Sequence, residues 1–290
     1  STIGNINSLR RPAIMYNQAA FHQTNVTTIT NLTGTGIEIW KTILANTFYT
    51  SPDGAHWIAN GTVNQPTTND EVLVVDGRVV MQEGSLIPGT GVTMTAVFNN
   101  DIKSNGDWYA RGDDPSDNDW AVRNGVLIAK TGDPITTGRG TENWGAAFSA
   151  FNINRNGDWV LAGNTDNADP AVDSVVVVNG TVVLREGDPV DIDGNGQFDD
   201  DAFVGRGNNT LSAFEPNDFV LTDDLQLYCF ITLRNAAGQD LNSTPAFGTP
   251  QAFIRLTLAT PPACLTDLDN SGVTDTADLV IFLANFATSV

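Results

Sequence analysis

The chain has 290 residues, 34 of them acidic against 14 basic, a net charge of −20 and 41% apolar residues. No apolar run approaches the ~18 residues of a bilayer span, which excludes a transmembrane helix; the charge excludes a basic nucleic-acid grip and the apolar content a wholly disordered chain. The acidic surplus consists of 28 Asp and only 6 Glu, beside 29 Asn and three Lys. Asp and Asn close tight turns and offer oxygens to hard cations, so the composition predicts many turns, calcium, or both.

In chain order, the first candidate unit covers 13–30 and 36–44. An internal repeat follows, marked by Trp57, Trp108 and Trp159 at spacings of 51 and 51. Each tryptophan follows a glycine-bearing turn: Ser51-Pro52-Asp53-Gly54, Lys103-Ser104-Asn105-Gly106 and Asn154-Arg155-Asn156-Gly157. Downstream, each unit repeats two strands around a two-residue loop, Asp76-Gly77, Asn124-Gly125 or Asn179-Gly180, the signal of a type I′ hairpin. A closing glycine stands seven residues beyond each turn glycine, at Gly84, Gly132 and Gly187. Further strands are predicted at 92–98 and 146–153, so each period of about 51 residues holds four strands. Four antiparallel strands at this period describe a β-propeller blade. With a divergent last unit at 218–233 and 251–258, the reading is an all-β propeller of about five four-stranded blades over residues 1–258. Four blades plus a sandwich-like extension is the competing count. The stretch from Ser51 to Trp57 is similar to the Asp-box of sialidase-like propellers, one residue short, and the arginine cluster of those enzymes is not identifiable here.

A Pro-rich linker at 259–263 leads to a tail of another kind, 264–290. There Asp267, Asp269, Ser271, Asp275 and Asp278 fall at loop positions 1, 3, 5, 9 and 12, with Gly272 at position 6 and the carbonyl of Val273 at position 7. This is the EF-hand ligand scheme, and it predicts calcium. With Asp rather than Glu at position 12 and an apolar helix predicted over 276–287, the segment resembles the calcium-binding half-repeat of dockerin modules. Dockerins pack two such repeats and this chain has one, so that family's partner binding does not carry over. The helix is marginal alone, and its residues Leu279, Ile281, Phe282, Leu283 and Phe286 form the predicted docking surface.

A second acidic loop places Asp191, Asp193, Asn195 and Asp199 at positions 1, 3, 5 and 9, with Gln197 at position 7. Position 12 is Ala202, so Asp200 or Asp201 has to close the shell; Asp201 completes the expected ligand set. Five carboxylates in eleven residues repel one another unless a cation neutralises them. Asp113, Asp114, Asp117 and Asp119 form a weaker cluster. Arg111-Gly112-Asp113 has the form of an adhesion tripeptide, but Gly112 aligns with Gly61 and Gly163 as a strand-end glycine of the repeat. Asn-x-Ser/Thr sequons stand at Asn25, Asn31, Asn60, Asn179, Asn208 and Asn242. A disulfide between Cys229 and Cys264 would pin the tail to the body; a buried free Cys229 is the alternative.

Catalytic signatures are absent from the sequence: it has no Gly-x-Ser-x-Gly, no His-Glu-x-x-His and no phosphate loop, and neither His22 nor His56 has an evident partner. The whole chain resembles a secreted bacterial β-propeller-like repeat protein with a dockerin-like tail. The expectation is a non-enzymatic extracellular building block, its export signal removed, that binds calcium and forms a homo-oligomer or polymer, a fibre or surface layer, through its tail. The alternative is a carbohydrate-binding or carbohydrate-cleaving propeller tethered to a larger complex. Trp120 and Trp144, which break the 51-residue period, are then the candidate sugar-facing aromatics.

Overall fold

The computed structural model describes residues 13–16, 19–29, 37–44, 47–87, 90–137, 140–207, 213–241 and 251–258. Every regular element among them is a β-strand. Strands β1 (Ala13–Tyr16) and β2 (Ala19–Gln23) form an N-terminal hairpin. Sheet I contains β3 (Trp40–Ile43), β4 (Tyr49–Thr50), β5 (Trp57–Val63), β6 (Glu71–Val75) and β7 (Arg78–Gln82). Sheet II contains β8 (Ala96–Ile102), β9 (Trp108–Asp113), β10 (Asp119–Arg123) and β11 (Val126–Lys130). Sheet III adds β12 (Pro134–Thr137) to β13 (Gly140–Ile153), β14 (Trp159–Thr165), β15 (Ser174–Val178) and β16 (Thr181–Arg185). In sheet IV, β17 (Phe203–Val204), β18 (Phe214–Leu221) and β20 (Gln251–Thr257) all pair with β19 (Gln226–Arg234). All pairings are antiparallel, in the meander that the two-residue loops impose.

The loops form as their chemistry demands. Asp76, Asn124 and Asn179 have φ of 48°, 50° and 49°, and the glycine after each is also left-handed, the backbone of a type I′ turn. The closing glycines do a second job: the N–H groups of Gly84, Gly132 and Gly187 donate to the carbonyls of Met94, Trp144 and Val204 at 2.9, 2.8 and 2.7 Å. Met94, Trp144 and Val204 donate back to Ser85, Asp133 and Asp188. Each unit is thereby stitched, backbone to backbone, to the segment leading into the next sheet.

Side-chain alternation along the strands assigns each face to a different core. Trp108, Ala110, Trp120 and Val122 pack with Ile58, Leu73 and Met81 of sheet I, whereas Tyr109 and Ala121 face Phe148, Phe151 and Leu161 of sheet III. In β15, Val175 and Val177 join that same core, and Val176 and Val178 turn to Phe214, Phe219, Leu227 and Ile231 of sheet IV. All five residues of β15 are buried, because a strand covered on both faces needs no polar side. Burial of each of its valines contributes roughly 2 kcal/mol.

Two sequence boundaries change. Segment 36–44, assigned above to the first unit, supplies β3, which pairs with β5 in the Trp57 sheet. The strand expected at 92–98 is displaced to Ala96–Ile102, since Val92 and Met94 are drawn into backbone bonds with Ile87, Gly84 and Ser85 of the closing turn. The tail, 264–290, and its linker lie outside the described residues.

Candidate metal centre

The loop from Val190 to Ala202 joins sheet III to sheet IV. Its backbone is wound around its own carboxylates: Asp191 accepts from the N–H groups of Gly194 and Gly196, both at 2.8 Å. Asp193 accepts from Asn195 N–H at 3.0 Å, and the side-chain oxygen of Asn195 accepts from Gln197 N–H at 2.7 Å. Gly194 and Gly196 take φ of 72° and 85°, which allow these reversals without a Cβ penalty. The N–H groups of Gly196 and then Gly194 hold the Asp191 carboxyl below the usual carboxylate range.

Asp200 folds back across the loop, accepting from the N–H groups of Ile192 at 2.7 Å and Asp193 at 3.3 Å. Carboxylate oxygens of Asp191, Asp193 and Asp200 lie within 4.8 Å of one another. This all-oxygen set suits a hard divalent cation of calcium's size, with carbonyls and water completing the shell. Of the two residues that the spacing offered at the end of the loop, Asp200 is the one that converges on Asp191 and Asp193. Asp201, in the expected set, instead accepts from Ala236 N–H at 2.7 Å and ties the loop to the turn after β19. Asn195 contributes through Asp193, its amide lying 3.1 Å from that carboxylate, and Asp199 is not part of the convergent trio.

The tail ligands Asp267, Asp269, Ser271, Val273, Asp275 and Asp278, the docking residues Leu279 to Phe286 and Cys264 all lie outside the described residues. Cys229 is a free thiol buried in β19, and burial pushes it up to about 12. Trp120 and Trp144 are 0% and 4% exposed, which corrects their assignment as sugar-facing aromatics. Trp120 instead packs on Gly112, where a Cβ would stand 2.7 Å from its ring and 1.8 Å from the Ala96 carbonyl oxygen; Trp144 stacks edge-on against Phe148 at 5.0 Å. Arg111-Gly112-Asp113 is likewise a feature of the fold, with Arg111 buried. Asn60 is fully buried and Asn179 is held in its turn, so neither sequon presents a free acceptor.

Arg111 belongs to a polar clamp that single-sequence reading missed. It donates to the Phe148 carbonyl of sheet III at 2.9 Å, while Asp119 accepts the N–H of the same residue. One sheet earlier, Asn60 donates to the Val97 carbonyl at 3.2 Å and Glu71 accepts the Val97 N–H at 2.9 Å. Asn60 and Arg111, like Val97 and Phe148, stand 51 residues apart, the one signal that could have exposed the device. Burial and then the neighbouring Asp113 raise Asp119 to about 7. In sheet III the position of Arg111 is Ala162, and the contact changes to Asn152 donating to Phe219 O at 2.8 Å.

His56, without an evident partner in the sequence, bonds Asp76 through Nδ1 at 2.7 Å. The pair is a repeat position with its chemistry reversed, since Asp107 faces Asn124 and Asp158 faces Asn179 at the equivalent places, both at 2.8 Å.

No protein-family model and no curated protein matches the chain. Among solved structures, Kuenenia stuttgartiensis hydrazine synthase is similar at a TM-score of 0.34 and 11% identity, over 65% of this chain and 51% of that one. PorZ, a bacterial surface component of the type-IX secretion system of Porphyromonas gingivalis, is similar at 0.34 and 11%, over 79% of this chain and 30% of that one. BBS1N, crystallised with ARL6DN, is similar at 0.29 and 7% identity, over 86% and 73%. The chain thus spans about half the length of the first and under a third of the second.

Proposed function

We propose that this chain is a non-enzymatic extracellular structural protein: a propeller-like building block of about five blades, the N-terminal hairpin contributing to the first, that binds calcium and self-assembles through its tail. The observation that carries the reading is the convergence of Asp191, Asp193 and Asp200 in a loop whose N–H groups already orient all three carboxylates. Calcium there would neutralise the trio and stiffen the connection between sheets III and IV, and the tail loop at 267–278 would supply a second site. Oxygen-ligand sites of this kind suit the millimolar calcium outside cells, which supports the extracellular assignment. Head-to-tail docking that does not close on itself would produce a fibre or layer.

The carbohydrate alternative loses its two proposed aromatics, because both are buried. Negative-stain imaging in millimolar calcium and again in chelator, with calorimetric calcium titration, tests the proposal. Calcium-dependent polymers and two binding sites are expected; monomers under both conditions, or no calcium heat, would overturn it.

A further inference from the structure

The junction of sheets III and IV departs from the two before it at a buried carboxyl group. The acids that begin β6 and β10, Glu71 and Asp119, each accept an N–H of the following sheet, from Val97 and Phe148. At the equivalent place β15 begins with Ser174, whose hydroxyl turns to Asn164 at 3.2 Å, and the acid of this junction is Glu186 at the end of β16. Glu186 is 1% exposed, and neither of its carboxyl oxygens has a hydrogen bond of ordinary geometry. A buried acid placed in this way is costly as the anion and is favoured as the neutral form.

The segment packed on this carboxyl group is the end of β17. Gly205, with φ of 137°, lies so close that a Cβ there would stand 2.8 Å from both Glu186 Oε1 and Arg234 Nε. Main-chain bonds hold the segment down: Gly187 N–H donates to Val204 O at 2.7 Å, Val204 N–H to Asp188 O at 2.9 Å and Gly205 N–H to Thr232 O at 2.9 Å. The same ladder is the neck of the metal loop, closed one step further by Val190 N–H on Ala202 O at 2.9 Å. The polar groups around Glu186 divide. The Ser174 hydroxyl, Arg234 at the end of β19 and the Arg206 N–H favour the anion, Asp173 ahead of β15 disfavours it, and burial outweighs them, raising the carboxyl to about 7. Arg185, its neighbour in the chain, is committed to Glu142 at 3.0 Å.

We propose that Glu186 is a proton-operated latch on β17: as the neutral acid it stays packed beneath Gly205, and its ionisation, which demands water, favours release of β17 and with it the neck of the metal loop. The link to the metal loop rests on the calcium reading above; the latch itself does not.

Amide hydrogen exchange of the full chain in chelator, read as protection factors at Gly187, Val204 and Gly205, tests the latch. Protection is expected to fall about tenfold between about pH 5.5 and about pH 8, the linkage due one pH unit above the folded-state value, and Glu186→Gln is expected to keep the acidic level throughout. Protection that does not change with pH, or that falls equally in Glu186→Gln, would overturn the latch. Calcium at about ten times its dissociation constant, binding only the closed loop, should return about tenfold protection at the upper pH. No such return, in a chain that binds calcium by calorimetry, would overturn the link to the metal loop. A chain that binds no calcium would overturn the metal reading and leave the latch standing.

Discussion

Trp159 and Asn179 hold each other through two hydrogen bonds: the Trp159 N–H donates to Asn179 Oδ1 at 3.0 Å, and the Asn179 N–H donates to Trp159 O at 3.1 Å. The same pair of bonds joins Trp108 to Asn124 and Trp57 to Asp76. The repeat therefore conserves a bond between the start of one strand and the turn after the next, and the tryptophan spacing records it. Replacing Asn179 by Ala removes the acceptor and leaves a Cβ residue at φ 49° with no side-chain compensation; a loss of about 2 kcal/mol is expected in denaturant unfolding.

The reversed His56–Asp76 pair makes a sharper prediction. Asn179→Asp alone sets a carboxylate against Asp158 and should destabilise by about 1 kcal/mol, whereas adding Asp158→His rebuilds the His56–Asp76 arrangement and recovers much of the loss. A double-mutant cycle by thermal unfolding reads the coupling; additive effects would contradict the equivalence.

Asp119 and Glu186 give stability a pH dependence of defined sign. Burial is the leading cause of both shifts, and each carboxyl is raised to about 7. The folded state therefore holds protons that the unfolded state has released, so this contribution is full below the ordinary carboxylate range and is lost as pH rises through about 7. Melting temperature is expected to fall between pH 5 and pH 8 (the range about neutrality where these groups titrate), and Glu186→Gln should flatten the slope and stabilise by a few kcal/mol at the upper end. A steeper slope in the variant would contradict the assignment.

Gly112→Ala should destabilise by about 3 kcal/mol, because its Cβ would collide with both the Ala96 carbonyl and the Trp120 ring. Unchanged stability in chemical denaturation would show that the strands separate there more easily than the packing implies.

For the metal centre, Asp200→Ala should weaken calcium binding about tenfold or more by removing one of three convergent charges. Asp201→Ala should leave the affinity within about twofold, since that side chain is committed to Ala236 N–H. Calorimetry on the two variants separates them directly.

Much of the body was legible from residues. The Asp-Gly and Asn-Gly loops impose their own backbone, and the 51-residue period located β5, β9 and β14 at their tryptophans. The strand containing Trp40 was misassigned because local pattern does not say which sheet a strand will join; pairing to β5 is a long-range choice. Trp120 and Trp144 were misread for a related reason, as burial depends on neighbouring sheets rather than on phase within the repeat. In the acidic loop, spacing singled out Asp191 and Asp193, whose carboxylates do converge, but that Asp200 rather than Asp201 joins them required the fold, because Asp201 accepts from Ala236 N–H.

The central claim is that calcium and the tail together turn this body into a polymer. Light scattering during calcium titration, on the full chain and on a chain ending at residue 258, tests it most directly. The account predicts a calcium-dependent rise for the full chain, reversed by chelator, and none for the shortened one. Equal scattering from both chains, or a calcium-independent signal, would contradict it.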